Sequence, residues 1–425
     1  MTNSDMTFSE LDLHPDLMAA LEQSGYEQPT PIQLAAIPEI LAGKDVMAGA
    51  QTGTGKTAAF ALPILNKLLN TEVSQDKHVK ALILVPTREL AQQVHKSVKK
   101  YAKLTPLKSV QVYGGVSIGA QIENIKQGAD ILIATPGRLL DLLFKKAVDL
   151  KQLDTLVFDE ADRMLDMGFK DEINMILKRL DPNRKRQTLL FSATLDDAIF
   201  KLSKTLLTDA KLIEVAARNT AAEQVEQLVY NVDEDQKRAL TSYLIGSKNW
   251  QQVLIFTRTK QGADVLAKEM IKDGLKAQSI HGDKSQGARD KALEEFKEGK
   301  LRALVATDVA ARGLDIAQLK YVINYELPYI AEDYIHRIGR TGRAGESGLA
   351  ISLMDRDEEY LLEEIEVILD KKLNQQWFEG FEPDFTKERT SQKKNSKAAQ
   401  KKRAKDRAFG KDSRNKNRRK PSAKK

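Results

Sequence analysis

The stretch Ala50-Gln51-Thr52-Gly53-Thr54-Gly55-Lys56-Thr57 carries the first recognisable chemistry of this chain. A short apolar run, Asp45-Val46-Met47-Ala48, precedes it and Ala58-Ala59-Phe60-Ala61-Leu62 follows, which reads as a strand, a tight loop and a helix start. Gly53 and Gly55 lack a Cβ, so the backbone can fold back and aim successive N–H groups at phosphate oxygens. Lys56 can reach the outer phosphates as a mobile point charge, and the Thr57 hydroxyl can ligate Mg²⁺. Ala50 stands where the strict G-x-x-x-x-G-K-[ST] pattern has its first glycine, and a small residue still fits there. A glycine-rich turn with a chance lysine is the bland alternative, and it leaves the flanking strand and helix unexplained.

A second anchor, Asp159-Glu160-Ala161-Asp162, closes the apolar run Thr155-Leu156-Val157-Phe158. Phosphoryl transfer to water needs a carboxylate for Mg²⁺ and a group that orients and deprotonates the attacking water. Asp159 suits the first role and Glu160 the second. Alone, four such residues are as readily a helix N-terminus or a solvated turn. After an apolar strand and downstream of a phosphate loop they read as a Walker B site.

The elements that must position these groups follow from the apolar pattern. Ala81-Leu82-Ile83-Leu84-Val85, Ile131-Leu132-Ile133-Ala134, Thr155 to Phe158 and Gln187-Thr188-Leu189-Leu190-Phe191 are short apolar runs, each ending in a polar cluster. Separated by helix-length amphipathic segments, they read as buried parallel strands of an α/β fold, in which ligands bind at the carboxyl ends of strands. Val253-Leu254-Ile255-Phe256-Thr257-Arg258 echoes Leu82 through Arg88, and Ala303-Leu304-Val305-Ala306-Thr307 echoes Ile131 through Thr135. One unit therefore looks duplicated, and only the first copy has a phosphate loop.

The 425 residues predict two to three domains. The expected division is an N-terminal region 1–36, domains over 37–215 and 225–378, a small polar linker 216–224, and a disordered basic tail over 379–425. From Lys387 to Lys425 there are 18 Lys and Arg against 3 Asp and Glu, whereas the rest of the chain has 49 against 57. The net charge of +7 is thus a property of the tail. Absence of cysteine excludes disulfides, thiolate metal sites and cysteine nucleophiles, and is consistent with a reducing cytoplasm. With no apolar signal core at the N-terminus and no apolar run of about 18 residues, neither secretion by that route nor a membrane partner is expected.

These motifs in this order resemble the DEAD-box ATP-dependent RNA helicases of superfamily 2 over roughly Phe8 to Leu373. The resemblance implies two tandem RecA-like parallel-sheet domains acting on ATP, Mg²⁺ and RNA. Phe8 with Gly25-Tyr26-Glu27-Gln28-Pro29-Thr30-Pro31-Ile32-Gln33 is similar to the Q motif, which implies that Gln33 reads the adenine edge while Phe8 packs on the base. In His336-Arg337-Ile338-Gly339-Arg340-Thr341-Gly342-Arg343, Arg340 and Arg343 take the role of arginine fingers for the transferred phosphoryl group. His336 and Arg337 would couple the domains by contacting Asp162 and the Ser192-Ala193-Thr194 motif. A basic nucleic-acid patch is the bland reading of the same stretch. By the same analogy Asp315 meets the ribose, Arg312 pairs in the closed interface, and Thr307 with Asp308 lies beside RNA.

Further RNA contacts carried over by motif are Pro86, Thr87, Arg88, Gly115, Thr135, Gly137, Arg138, Thr257, Arg258, Gly282, Gln286 and Arg289. Most suit the sugar-phosphate chain, so little sequence preference is expected from the core. The tail reads as a nonspecific RNA tether or as a solvated solubility tail. A clamp that binds ATP but seldom turns over, and a DNA translocase, are the two rival readings. The lack of a folded accessory domain and the short basic tail resemble bacterial RhlE-type members. A monomer with ribonucleoprotein partners satisfies everything read here.

Overall fold

The computed structural model describes residues 7–50, 54–71, 78–215, 225–311, 316, 319–342 and 348–387. Gln51, Thr52, Gly53, Arg312, Asp315, Arg343, the linker 216–224 and the tail beyond Lys387 lie outside the described residues. The chain divides into two units, Met1–Ala217 and Arg218–Lys425.

The first unit is a seven-stranded parallel sheet. Its strands are β1 (Val46–Gly49), β2 (Ala81–Leu84), β3 (Ser109–Val112), β4 (Ile131–Ala134), β5 (Thr155–Phe158), β6 (Gln187–Ser192) and β7 (Lys211–Glu214). Their spatial order is β3-β4-β2-β5-β6-β1-β7. Apolar side chains alternate between its two faces, as the pleat requires. Ala81, Ile83 and Val157 join a core with helices α1 (Pro15–Glu22), α2 (Pro31–Leu41), α3 (Lys56–Leu69) and α4 (Arg88–Tyr101). Leu82, Leu84, Leu156 and Phe158 face the opposite core, shared with α6 (Pro136–Phe144), α8 (Lys170–Leu177) and α9 (Asp197–Leu206). A sheet buried on both faces needs continuous apolar strands, which is what these runs supply.

The second unit repeats the plan. Its strands are β8 (Val225–Asn231), β9 (Val253–Thr257), β10 (Ala277–Ile280), β11 (Ala303–Thr307), β12 (Tyr321–Asn324), β13 (Gly348–Met354) and β14 (Asn374–Gln376), in the order β10-β11-β9-β12-β13-β8-β14. Each position holds the strand numbered seven higher than in the first sheet. The two sequence echoes therefore fall at matching places: β2 with β9, and β4 with β11.

Buried polar side chains hold the ends of the strands in register. Asp45, ahead of β1, accepts from the Thr188 and Thr208 backbone N–H groups at 2.7 and 2.8 Å. Gln187 donates to the Ile40 and Lys44 carbonyls, both at 2.8 Å. These bonds tie down the amino ends of β1 and β6, so their carboxyl ends are presented in fixed positions.

The expected start of the tail at Glu379 is too early. Phe378 packs edge-on against Tyr230 and Tyr243 at 5.5 and 5.6 Å, Phe381 lies 5.8 Å from Tyr243, and Lys387 reaches Asp233 at 2.8 Å. Two aromatic anchors separated by Gly380, which turns the chain at φ +83°, keep it on the second unit through Lys387. Among the described residues no helix is long and apolar enough to cross a membrane.

Candidate nucleotide and RNA site

In the first unit the expected phosphate-handling residues meet at the carboxyl ends of β1, β5 and β6. Gly55 precedes α3 with φ +96°, a backbone conformation that disfavours any side chain. A Cβ there would lie 2.4 Å from Gln33 Nε2 and 2.8 Å from Thr30 Oγ1. Space is lacking because Gln33 bridges two segments: its Oε1 accepts from the Thr30 N–H at 2.9 Å and its Nε2 donates to the Gly55 carbonyl at 3.1 Å. The start of α2 is thereby fastened to the loop, with Pro31 as its first residue.

Lys56 and Asp159 are both buried, and neither Lys56 Nζ nor Asp159 Oδ1 has a hydrogen-bond partner. Burial pushes the Asp159 carboxyl up to about 6, against the pull of Lys56 and with a further push from Glu160. Two buried ionisable groups with unmet hydrogen-bonding capacity are costly, and they mark a place shaped for ligands of both signs. Glu160 follows with φ +56°, a left-handed conformation unusual for a side chain of its size. The strain turns the chain sharply from β5 into α7 (Ala161–Asp166) and sets Glu160 beside Asp159. Asp162 accepts from the Ala193 and Thr194 backbone N–H groups at 3.1 Å and from Thr194 Oγ1 at 3.3 Å. The acidic motif and the Ser192 motif are thus one rigid piece within the first unit. Ser192 is fully buried with its hydroxyl unpartnered.

The residues fit Mg²⁺ by their donor chemistry. Asp159 Oδ1 is a buried, unpartnered carboxylate oxygen, and Thr57 lies in the first turn of α3. Magnesium prefers one or two protein oxygens with the rest of its shell from phosphates and water. Among the described residues no three His, Asp or Glu side chains could jointly cage an ion, in keeping with that pattern.

Phe8 is placed differently from its expected contact with a base. Its ring is buried at 3% exposure, edge-on to Tyr26 at 6.4 Å. Its observed part is to support the half-buried Tyr26, whose hydroxyl lies 3.3 Å from that of Tyr101.

The candidate RNA residues cluster on the other strands. Pro86, Thr87 and Arg88 follow β2, Gly115 follows β3, and Thr135, Gly137 and Arg138 follow β4. In the second unit, where α10 (Lys237–Ser247), α11 (Lys260–Lys272) and α12 (Gln286–Lys297) precede the short α13 (Asp308–Ala311), Thr257 ends β9 with Arg258 next, Gly282 follows β10, Thr307 ends β11 and Asp308 opens α13. These are the same three sheet positions in both units. Gly115, Gly137 and Gly282 are exposed, so their backbone groups face solvent. Gly115 has φ +84°, and a Cβ on it would sit 2.0 Å from the Arg88 guanidinium.

Several side chains in this set are already engaged inside their own unit. Thr87 Oγ1 accepts from the Leu90 N–H at 3.2 Å as a helix cap, and the fully buried Thr257 hydroxyl donates to the Thr259 carbonyl at 3.3 Å. Arg138 donates to Gln121 Oε1 and to the Val116 carbonyl, both at 3.1 Å, and so braces the loop bearing Gly115. Gln286 and Arg289 lie on the buried side of α12, Gln286 donating to Asp290 at 2.9 Å. Arg258 pairs with Glu358 at 2.8 Å and Glu326 at 3.2 Å; burial alone would lower its pKa, but these carboxylates outweigh burial and raise it. Glu358 also holds the buried Lys237.

Arg337, expected between the domains, spends its donors within the second unit. It grips both carboxylate oxygens of Asp308, at 2.5 and 2.8 Å, and donates to the Glu326 carbonyl at 2.6 Å and to Asn324 Oδ1 at 3.3 Å. It therefore binds α14 (Ala331–Ile338) to the end of β11, and Asp308 is occupied by it. Arg340 is half-buried just beyond α14, and His336 is half-buried on it. Arg337 and Asp308 are far apart in sequence, so no local pattern reveals the pairing.

A tandem of matched parallel sheets, with phosphate chemistry at the strand ends of the first, defines a RecA-like nucleotide-binding protein. The DEAD/DEAH box helicase model matches residues 30–202, and the helicase conserved C-terminal domain model matches residues 235–345. ATP-dependent RNA helicase RhlB of Xanthomonas oryzae pv. oryzae is 42% identical over 374 residues, which cover 87% of this chain and 65% of that protein. DEAD-box ATP-dependent RNA helicase CshA of Bacillus subtilis is 41% identical over 369 residues, covering 87% of this chain and 74% of the relative. The structure of S. cerevisiae Dbp5 bound to RNA and ADP BeF3 superposes with a TM-score of 0.77 at 32% identity, covering 87% of this chain and 95% of the other. The chain belongs to the DEAD-box ATP-dependent RNA helicase family.

The Gln33–Gly55 bridge yields a direct test. Gly55→Ala is expected to weaken ATP binding about tenfold or more, because the added Cβ meets the Gln33 amide and the backbone must leave its left-handed conformation. Gly137→Ala, with open space around its Cβ, leaves ATP affinity unchanged. Equal affinities for both variants in a fluorescent-nucleotide titration contradict the assignment.

Proposed function

We propose that this chain hydrolyses ATP when RNA and nucleotide together close its two units, and that closure locally separates short RNA duplexes or remodels RNA–protein complexes. The observation that carries the reading is the buried Lys56, opening α3, and the buried Asp159 at the end of β5, with Lys56 Nζ and Asp159 Oδ1 lacking hydrogen-bond partners and Glu160 next in the chain. Lys56 and the loop N–H groups hold the phosphates, Glu160 orients and deprotonates the attacking water, and Arg340 with Arg343 meets the developing charge. Thr57 and Asp159 would hold Mg²⁺, which when bound neutralises phosphate charge. Gln33 selects adenine, and Asp315 meets the ribose. Arg312 and His336 complete the contact between the units.

RNA is held on the β3-β4-β2 and β10-β11-β9 strand ends, mainly through backbone N–H groups of Gly115, Gly137 and Gly282 and the Arg88 guanidinium. Backbone-directed contacts give little sequence preference. Holding one strand in a shape that a duplex cannot share costs its partner on the order of 1.4 kcal/mol per step, taking DNA stacking as the guide, so one closure opens a few pairs. The named activity of the relatives and the RNA bound to Dbp5 support this reading. The basic tail acts as an RNA tether, and the protein works as a cytoplasmic monomer.

Phosphate release measured with RNA and with DNA of matched sequence tests the reading. RNA alone is expected to stimulate, and Glu160→Gln abolishes the stimulation while nucleotide still binds; equal stimulation by DNA, or a fully active variant, refutes it. For the tail, truncation after Lys387 is expected to flatten the dependence of log affinity on log salt by about 4, as for six phosphates released from a single strand. An unchanged slope leaves it a solubility tail.

A further inference from the structure

Outside the strand-end site, α4 and the turn that follows it carry a run of basic charge in a unit that is otherwise close to neutral. Residues 1–215 contain 26 Lys and Arg against 27 Asp and Glu, yet between Arg88 and Lys108 there are six basic residues and one acidic residue, Glu89. Leu90, Ala91, Val94, Val98 and Tyr101 form the buried side of the helix. Lys96, Lys99 and Lys100 are exposed and, at 3.6 residues per turn, fall within about 100° of arc on the other side, and the exposed Lys103 follows in the turn after the helix. Among the described residues no ion pair is recorded for Lys99, Lys100 or Lys103. Lys100 Nζ stands 4.7 Å from the ring centre of Tyr26, which keeps its charge at the surface. A solvated helix face normally intersperses acids with its lysines, and this one does not.

Position gives the stripe its meaning. The helix opens at Arg88, on the strand-end face assigned above to RNA, and rises about 1.5 Å per residue, so Lys96, Lys99 and Lys100 lie roughly 12 to 18 Å further on. At about 3.4 Å per nucleotide, that distance corresponds to some four to five nucleotides. We propose that Lys96, Lys99, Lys100 and Lys103 form a second RNA-phosphate surface, continuous with the strand-end face through Arg88, that holds the part of a strand extending beyond the site of closure. This rests on the RNA-binding reading above and adds a length dependence to it. The surface contacts phosphates alone, so it lends affinity without sequence preference.

The test is the full-length quadruple variant K96Q/K99Q/K100Q/K103Q, titrated with RNA strands of about 8 and about 25 nucleotides over a range of salt. Affinity for the long strand is expected to fall about tenfold at low salt, with a salt slope shallower by about 3, while the short strand binds within twofold of the original. The corresponding four-arginine variant retains the long-strand affinity. Equal losses on both lengths, or no loss on the long strand, overturn the proposal. A lowered Tm with unchanged binding also overturns it, since Lys99 and Lys100 would then serve only the carboxyl-terminal dipole of the helix. So does unchanged RNA binding in a variant that has lost an acidic protein partner. If the quadruple variant does not fold, K96Q/K103Q, both outside the last helical turn, carries about half the change in slope. ATPase stimulation by the short strand is read in the original chain: its absence sinks the functional reading, whereas the length comparison reports on the lysines alone.

Discussion

Everything in the first unit serves one unmet electrostatic need, the pair of buried groups Lys56 and Asp159 with hydrogen-bonding capacity facing no protein partner. In an interior of low dielectric such groups are costly, and the fold tolerates them only because its scaffold is stiff elsewhere. Asp45 and Gln187 secure the amino ends of β1 and β6, Gln33 fastens the loop to α2, and Asp162 ties the acidic motif to Thr194. In the proposed function a triphosphate would supply the anion and Mg²⁺ the cation that this arrangement leaves wanting. The raised pKa of Asp159 expresses the same deficit from the side of the proton.

The repeated strand order then divides labour across each sheet. Strands β5, β6 and β1 end in groups suited to phosphate transfer, whereas β3 and β4 lead to the exposed Gly115 and Gly137 and β2 to the half-buried Arg88, groups suited to a sugar-phosphate chain. In the second unit the matching positions present Gly282, Thr257 and Thr307, but the charged groups beside them are locked internally. Arg258 is held by Glu326 and Glu358, and Asp308 by Arg337. Those guanidiniums act by positioning: Arg337 transmits the placement of β11 to α14, which ends next to Arg340.

Legibility in the sequence followed the range of the interaction. The acidic motif, the apolar strands and the helix that opens at Lys56 are local patterns, governed by glycine conformation and by burial on both sheet faces, and each appears at its expected place. Even the duplication could be read, because β2 with β9 and β4 with β11 share apolar runs and terminal threonine or arginine residues. What sequence position could not convey was who partners a charge. Arg258 meets Glu358 a hundred residues away, and Arg138 meets Gln121 and Val116 across a loop, so residues typed as RNA contacts also serve the fold. Phe8 looks like a base-stacking ring by motif, yet its neighbour Tyr26 buries it. The tail boundary moved for a similar reason: Phe381 meets Tyr243 and Phe378, and Lys387 meets Asp233, partners that lie far away in sequence or give no local pattern.

The proposed function requires that cations of the second unit reach the phosphate site of the first during turnover. Single-turnover hydrolysis by Arg340→Ala, alongside a nucleotide titration, tests it most directly. The account predicts ATP affinity within about threefold of the original and an RNA-stimulated hydrolysis rate lower by about 10³-fold. Hydrolysis at the original rate, with Arg340 gone, would contradict it.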